Sequence, residues 1–384
     1  MRLLIAAASL MLGGCISSGT TTSDPTQETA EWRWVLPSYV PVPRVPADNP
    51  MSEAKFQLGR ALFYDVRLSG NGLQSCASCH QQDKAFTDGM PVSVGSTGEK
   101  TPRNSQPLAN VAWHPTVTWA NPSLVSLERQ MEVPLFGENP VEMGVNDANK
   151  SEVLNRIRND SNYVQQFSNA FPSESSPISF GNIIKAIAAF QRALVSTDSK
   201  YDRYLQGKAE FTSEELRGKD LFFGEKAECF HCHGSFNFND QVIHAGSRAV
   251  ETPFHNTGLY NIDGKGGFPF PNRGLFEFTS VAADMGQFRA PTLRNVALTA
   301  PYMHDGTMQS LEEVLDFYAA GGRVISSGPN AGDGRLNPFK SDLIVRISLN
   351  EEEKRDLVAF LKTLTDEDFL TNPRFSNPGL HPLR

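Results

Sequence analysis

The sequence predicts a mainly α-helical protein that consists of two related modules with long ordered loops. The first observation is an internal repeat, because the pattern Gly-x-x-Leu-Phe-aromatic occurs at 59–64 and again at 218–223, and each copy is followed by Cys-x-x-Cys-His. The second is that strand signals are few and short. The third is composition, since the 384 residues include 30 glycines and 25 prolines, which favours many loops. A chain of this length can bury two cores of ordinary size.

Helix signals accompany each copy of the repeat. Ser52 is a suitable N-cap before the first copy, and Thr212 and Glu215 form a capping-box pattern before the second. Between the copies, 182–196 carries apolar residues at helical spacing, a stripe that could pack one module on the other. A last helix is predicted over 350–365, again with a capping-box pattern at its start.

The N-terminus has the features of an export signal. A charged residue is followed by an apolar run that is too short to span a bilayer, and then by Gly-Gly-Cys15. This ending resembles the lipobox of bacterial lipoproteins, so we predict a signal peptide over 1–14, lipid attachment at Cys15 and a flexible polar tether over 15–45. An ordinary cleaved signal with an incidental cysteine is the alternative. The expected location is the periplasm, with membrane contact through the lipid.

The charge of the chain argues against one class of partner. The formal net charge is −8 at neutral pH, whereas a nucleic-acid-binding protein needs a basic face for the phosphates. We therefore expect no nucleic acid partner. A basic protein partner is compatible with the charge, although charge alone does not establish one.

The cysteines leave three kinds of site to consider. If Cys15 carries a lipid, the other four form two pairs, each followed directly by histidine, at 76–80 and 229–233. A redox Cys-x-x-Cys does not need that histidine. A zinc site built from both pairs would have 149 residues between Cys79 and Cys229, against about 15–20 in zinc ribbons. The sequence therefore gives little support to a redox site or a zinc site.

The Cys-x-x-Cys-His spacing is typical of covalently attached haem c. Two thiols add to the two vinyl groups of one porphyrin, and the next residue then lies under the iron as its nitrogen ligand. The sequence thus predicts two haems with His80 and His233 as their ligands, and no cysteine is left for a structural disulfide. The predicted fold is two cytochrome c-like haem domains, over 46–205 and 206–384.

Further segments carry a resemblance to a known family. The stretches TPRNSQP (101–107), NPVEMG (139–144) and LRNVALTAPYMHDG (293–306) occur together with the two haem motifs. In this order, over roughly 50–370, the chain resembles the bacterial di-haem cytochrome c peroxidase and MauG family. The resemblance implies that the N-terminal haem reacts with hydrogen peroxide and that the C-terminal haem stores or relays electrons.

The resemblance also assigns roles near the N-terminal haem. Glu142 matches the distal acid of the family, which moves a proton between the two peroxide oxygens, and Gln130 matches its distal amide. The segment between them is two residues longer than usual in the family. Trp119 matches the tryptophan between the haems, a position from which it could carry an oxidising equivalent; an ordinary core aromatic is the alternative.

A calcium ion between the haems is implied in the same way. Asn104 and the main-chain carbonyls of Thr299 and Pro301 match the family's calcium ligands, and all three offer the hard oxygens that calcium prefers. Without the resemblance, Asn104 would be read as a turn residue.

Tyr318 stands where peroxidases of this family carry a methionine ligand to the second haem, and where MauG-like members carry tyrosine. Ser310 and Glu313 form a capping-box pattern and two glycines follow at 321–322, so Tyr318 is expected in the last turn of a helix. A hard tyrosinate favours oxidised iron, and the second haem could then hold an oxidising equivalent itself. The alternatives are a packed aromatic residue, or a thioether ligand from Met303 or Met308.

The loop after the first motif also differs from that of many family members. Family members that need reductive activation carry a histidine there, which blocks the reactive iron at rest. Here no histidine occurs between His80 and His114, so the first haem is expected to be open without prior reduction. The remaining histidines are expected to pack or to bond at the haem edge, namely His114, His231, His244, His255 and His381.

Two more stretches, FHNTGLYNIDGKGGFP (254–269) and VLDFYAAGG (314–322), are most similar to the MbnH-type branch of the family, which oxidises a tryptophan in a partner protein. The expected activity is therefore peroxide-driven oxidation of a partner side chain through a high-valent state shared by two covalent haems c. A cytochrome c peroxidase that takes electrons from a small cytochrome or copper protein is the enzyme alternative. A di-haem electron carrier is the non-enzyme alternative.

Overall fold

The computed structural model describes residues 32–379. The predicted signal peptide, Cys15, the first part of the tether and His381 lie outside the described residues. Within them the only strands are the antiparallel pair β1 (Val324–Ile325) and β2 (Gly332–Asp333), so the prediction of a mainly α protein is confirmed. No described helix is both long and apolar enough to cross a membrane.

The first half of the chain contributes seven helices. Their bounds are α1 Glu53–Phe63, α2 Cys76–Cys79, α3 Leu127–Phe136, α4 Lys150–Arg158, α5 Ser161–Ala170, α6 Phe180–Arg192 and α7 Lys200–Leu205. The second half contributes six more. Their bounds are α8 Ser213–Phe222, α9 Phe230–His233, α10 Phe276–Thr279, α11 Leu311–Ala320, α12 Glu351–Lys362 and α13 Glu367–Thr371. Long loops connect them, as the composition indicates.

The predicted helix starts are confirmed. Ser52 caps α1 by accepting a hydrogen bond from the Lys55 backbone N–H, and Thr212 caps α8 in a reciprocal capping box with Glu215. Asn350 starts α12 with the predicted box. The ends differ by a few residues, because α12 ends at Lys362 and α6 spans Phe180–Arg192 instead of 182–196.

In the first module α1 crosses α6 at very short range. Gly59 lies at the crossing, where a β-carbon would come within 1.9 Å of the Ala186 carbonyl oxygen. The rings of Phe63 and Phe190 meet next to it, with centroids 5.0 Å apart, and both side chains are fully buried. The glycine is therefore required by backbone contact between the two helices.

The second module repeats this crossing with α8 and α12. A β-carbon at Gly218 would lie 1.9 Å from the Asp356 carbonyl oxygen, and Phe222 and Phe360 pair at 5.2 Å. The expectation that the apolar stripe of 182–196 packs one module on the other is thus wrong. That stripe, on α6, faces α1 of its own module, as α12 faces α8.

The two modules meet through an equivalent pair of asparagines. Asn110 and Asn295 both have left-handed backbones, and their N–H groups donate to the carbonyls of Leu194 at 2.9 Å and Leu364 at 3.0 Å. Ser196 binds both side chains, since its N–H donates to Asn110 Oδ1 and its hydroxyl accepts from Asn295 Nδ2. The repeated Asn-Val-Ala segment therefore locks the modules together.

Candidate functional site

The two Cys-x-x-Cys-His segments have equivalent surroundings. His80 follows α2 and its Nδ1 lies 2.8 Å from the carbonyl oxygen of Phe86, while His233 at the end of α9 has its Nδ1 2.8 Å from that of Phe238. Because a carbonyl oxygen only accepts, Nδ1 carries the proton in both rings and donates it. The lone pair of Nε2 is then free to bind a metal ion.

The protonation states suit that role. Burial lowers the pKa of both histidines, so each ring stays neutral. Burial also raises the pKa of the Cys76 and Cys229 thiols to about 12. The four cysteines of the described chain are free of disulfides. Free cysteine thiols next to an imidazole whose Nε2 is available fit covalent haem attachment.

A large cavity lies against the second segment. It encloses about 1740 Å³, solvent at its mouth included, and its wall carries Cys229, Cys232 and His233 together with Tyr318. Most of the other lining residues are apolar. The structure therefore brings Tyr318 to the cavity that holds the second motif.

The position of Tyr318 follows from its helix. Ser310 caps α11 by accepting from the Glu313 N–H, and Gly321 ends it in the left-handed conformation with φ 73°. The predicted reciprocal bond differs, because the Glu313 carboxylate accepts from the Gln309 N–H. Burial, followed by the charges that Cys232 and Cys229 would carry as thiolates, raises the pKa of the Tyr318 phenol. Burial alone thus keeps the phenol neutral, and only a cation in the cavity would favour tyrosinate.

Met303 and Met308, the two alternative ligands to the second haem, lie in different places. Met303 lines the same cavity as Tyr318. Met308 is 5% exposed and packs with Leu259, Tyr260 and other residues in a neighbouring apolar cluster. Met303 is therefore the thioether that shares a wall with the tyrosine.

Glu142 lies close to the first motif. Its charge contributes to the raised pKa values of Cys76 and Cys79, and burial raises its own pKa above the usual range. No described residue donates a hydrogen bond to its carboxylate. A carboxyl group with a raised pKa and open oxygens can accept and return a proton, which is the chemistry of a general acid–base.

The loop after the first motif holds Glu142 in place. The Ser96 N–H donates to the Glu142 carbonyl at 2.7 Å, and a β-carbon at Gly95 would lie 1.9 Å from the Val141 carbonyl. Gln130 lies half-buried in α3, on the helix that precedes the Glu142 segment. Its role as distal amide stays a prediction.

The predicted calcium ligands share the large cavity. Asn104, Thr299 and Pro301 all line it, and the carbonyl oxygens of Thr299 and Pro301 accept no hydrogen bond from the described residues. Open carbonyl oxygens fit a hard cation. Trp119 lines the same cavity, and its Nε1–H donates to the Asn104 carbonyl at 2.8 Å.

Sequence reasoning missed a buried cation at this cavity. Arg289 donates through Nη1 to Nδ1 of His114 at 3.2 Å, through Nε to the Thr118 carbonyl and through Nη2 to Gln106 Oε1. Burial lowers its pKa to about 10, and it forms no ion pair with a described carboxylate. A buried guanidinium with only neutral partners, on the wall of a haem-sized cavity, fits the carboxylates of a haem.

Two further histidines line this cavity, and for one of them, His255, the sequence predicts packing or a hydrogen bond at the haem edge. His304 is 5% exposed, burial lowers its pKa to about 4, and its Nε2 has no hydrogen-bond partner among the described residues. His255 Nε2 lies 2.5 Å from Asp240 Oδ2; burial lowers the pKa of this imidazole, but Asp240 and Cys232 together raise it to about 10. The repeated Asn-Val-Ala segment is the sequence signal that could have drawn attention to the neighbouring Arg289.

Comparison with known proteins gives the same family from sequence and structure. A family model described as di-haem cytochrome c peroxidase matches residues 53–210. The methylamine utilization protein MauG of Methylorubrum extorquens is 35% identical over 374 residues, which is 95% of each chain. Cytochrome c551 peroxidase of Pseudomonas aeruginosa is 33% identical and the match covers 70% of this chain and 72% of the relative.

Solved structures agree. A MauG-like protein associated with microbial copper homeostasis is 64% identical with a TM-score of 0.90, covering 91% of this chain and 99% of the other. A diheme peroxidase from Burkholderia thailandensis, 22% identical with a TM-score of 0.65 over 85% of this chain and 90% of its own, shares the fold. This chain is thus a di-haem oxidoreductase with two haems c, and it belongs to the di-haem cytochrome c peroxidase and MauG family.

Proposed function

We propose that this protein uses hydrogen peroxide to oxidise a tryptophan side chain of a partner protein, with the oxidising equivalents shared by both haem sites. The observation that carries the proposal is Tyr318, whose side chain lines the cavity of the second motif. Among the residues of α11 that line this cavity, Tyr318 alone has a side-chain oxygen. A phenolate favours oxidised iron, whereas the methionine of cytochrome c peroxidases favours reduced iron.

When bound, the haem irons supply the redox chemistry with peroxide. The chain supplies the rest. His80 and His233 present Nε2 because Nδ1 is held by a main-chain carbonyl. Glu142 takes the proton from one peroxide oxygen and returns it to the other, for which its raised pKa is suited. We assign Gln130 to the same distal side as the peroxide-orienting amide, and Trp119 to the connection between the two sites.

The choice of a protein substrate has two supports. One is the similarity of 254–269 and 314–322 to the MbnH-type branch. The other is the 64% identity to a MauG-like protein associated with copper homeostasis, which supports a partner from copper handling. The identity to cytochrome c peroxidases favours a second candidate, in which a small cytochrome or copper protein donates electrons to peroxide.

Several finer assignments belong to the same proposal. We place a calcium ion at Asn104 and the carbonyls of Thr299 and Pro301, and we set the domain boundary between residues 205 and 206. The proposed location is the periplasm, with a lipid anchor at Cys15. Mass spectrometry of the exported protein tests the anchor, and metal analysis after dialysis against a chelator tests the calcium ion.

The main test adds one equivalent of hydrogen peroxide to the resting diferric holoprotein and follows the two ferric signals by EPR. The expected result is loss of both signals without added reductant. A reaction that appears only after one-electron reduction would favour the cytochrome c peroxidase, and no reaction at all would leave an electron carrier.

Tyr318→Phe is the diagnostic variant for sharing between the sites. It removes the phenol oxygen and keeps the ring, so packing in the cavity is retained. Loss of only the first ferric signal is expected. Tyr302→Phe is the matched control, since Tyr302 lines the same cavity while its hydroxyl donates to the Val296 carbonyl. An unchanged response in Tyr318→Phe would remove Tyr318 from the second iron.

A further inference from the structure

A continuous series of aromatic rings leads away from the cavity. Trp119 and His304, both on the cavity wall, have ring centroids 6.5 Å apart, and His304 stacks on Phe288 at 3.7 Å with an interplanar angle of 13°. Phe288 is followed by Phe268 at 6.4 Å, and Phe268 by Tyr260 at 5.4 Å. Each ring of this aromatic series contacts the next at a distance typical of packed aromatic pairs.

The series ends at a tyrosine with a base in place. The Tyr260 hydroxyl donates to Oδ2 of Asp305 at 2.5 Å. The Arg323 guanidinium lies over the Tyr260 ring at 4.6 Å and 3.9 Å from the Asp305 carboxylate. Asp305 thus holds a carboxylate oxygen at hydrogen-bond distance from the phenol, from which it is able to accept the phenolic proton.

Tyr260 is also near the protein surface. Its side chain is buried, but Arg323 above it is partly exposed and donates to the hydroxyl of the exposed Thr307 at 2.6 Å. A partner protein that docks on Arg323 and Thr307 would thus be separated from Tyr260 by a single layer of side chains. The other end of the series reaches the wall on which Tyr318 lies.

We infer that Tyr260, with Asp305 as its proton acceptor, is the outermost electron-relay residue of this protein and passes oxidising equivalents from the cavity to the partner side chain. The inference rests on the proposed function and supplies the route that function needs. Phenylalanine is much harder to oxidise than tyrosine, so Phe288 and Phe268 act as packed spacers between Trp119 and Tyr260.

Each cycle of the relay moves one electron and one proton. Tyr260 loses one electron toward the cavity, its O–H bond breaks, and the proton moves to Asp305. The partner indole then returns an electron to Tyr260, and Asp305 returns the proton. Two such cycles remove two electrons from the partner. Together with two protons released by the partner, they reduce one hydrogen peroxide to two waters.

The test uses the holoprotein with hydrogen peroxide alone and no partner, so that the oxidised relay accumulates. Freeze-quenched samples are examined by EPR, and ring-deuterated tyrosine identifies a tyrosyl signal by its narrowed hyperfine pattern. The expected result is a tyrosyl signal in the wild type and its loss in Tyr260→Phe. Asp305→Asn, which retains a hydrogen-bond acceptor but is a far weaker base, should also lose it.

Tyr39→Phe is the matched control. The Tyr39 hydroxyl likewise donates to a carboxylate, that of Asp202 at 2.6 Å, and Asp202 is paired with Arg294. Tyr39 packs instead against a separate cluster that contains Trp113. This variant should keep the signal. Haem content and thermal unfolding show whether each variant is folded.

The outcomes separate the two proposals. If the haem absorption responds to peroxide but Tyr260→Phe keeps the tyrosyl signal, or the wild type never forms one, the relay is wrong and the proposed function stands. Equal loss in Tyr260→Phe and Tyr39→Phe would also contradict the relay. If the haem absorption of the wild type does not respond to peroxide, the proposed function fails and the relay fails with it.

Discussion

The two haem modules share one side of their sites and differ on the other. On the shared side, each has a glycine at a helix crossing and a histidine whose Nδ1 donates to the carbonyl of a buried phenylalanine. On the other side, Glu142 lies near the first motif and Tyr318 near the second. A carboxyl group thus lies at the first site, and a phenol lies at the second.

Under the proposed function, this difference between the modules gives the same pair of helices two different roles. In both modules the Cys-x-x-Cys-His cysteines would attach the haem, and the hydrogen bond at histidine Nδ1 would orient the imidazole. The distinction comes from side chains outside the repeat, on α11 and on the loop that precedes α4. Under the proposed function, the carboxyl group suits reaction with peroxide at the first site, and the phenol suits storage of an oxidising equivalent at the second.

The largest effect is expected from a substitution of Glu142, the carboxyl group that distinguishes the first site from the second. Glu142→Gln keeps the size of the side chain but removes the base, so the rate of the reaction with hydrogen peroxide should fall by about 10²- to 10⁴-fold. Stopped-flow absorption of the holoprotein measures this rate. Glu138→Gln, an exposed residue of the same segment, is the control and should leave the rate unchanged.

The same carboxyl group predicts a pH dependence. The pKa of Glu142 is raised by burial, and the base form is the active one. The rate should therefore rise with pH through a value above the usual carboxyl range and then level off. Glu142→Gln should lack this limb, and its persistence in the variant would assign the titration to another group.

A smaller effect is expected at the two helix crossings that the modules share. Gly59→Ala and Gly218→Ala each place a methyl group against a backbone carbonyl, and each should destabilise the protein by about 1–3 kcal/mol. Chemical unfolding measures this free energy. Gly181→Ala in α6, whose nearest atom would be 3.8 Å away, should be neutral or stabilise by up to about 1 kcal/mol. If all three variants unfold alike, the two crossings are not tight.

The smallest effect concerns the contact between the modules. Burial, and then Arg289, lowers the pKa of His114 well below 6.5. The unfolded chain therefore binds a proton that the folded protein does not, and stability should decrease as pH falls below 6.5, by up to about 1.4 kcal/mol per pH unit. His114→Gln should show a shallower loss than the wild type. His244→Gln, at a half-buried position that accepts only from the Gly246 N–H, should match the wild type.

Much of the scaffold was predictable because its signals are local. Ser52, Thr212 and Asn350 were identified as helix caps from neighbouring residues alone, and all three cap the helices in the structure. The stripe on α6 was detected for the same reason. Its partner was assigned wrongly, because the periodicity of a helix shows which face is buried but not what covers it.

Some residues of the site were likewise predicted from the sequence, and others were found only in the structure. Tyr318 and Asn104 were selected by resemblance, and the structure brings both to the cavity of the second motif. Arg289 was missed because it lies outside the stretches that carry the resemblance, and His255 was expected only to pack or to bond at the haem edge. Their partners, Gln106 and Asp240, become neighbours only through the fold.

By itself the sequence determined the covalent chemistry and the local structure. Haem attachment depends on the fixed spacing of Cys-x-x-Cys-His, and helix starts depend on side chains within a turn of each other. The tertiary structure decided what faces each site. Asn104 and His304 are 200 positions apart in the chain but share a hydrogen bond, and the aromatic series from Trp119 to Tyr260 combines distant segments. Contacts of this range depend on how buried surfaces pack together, which no local pattern encodes.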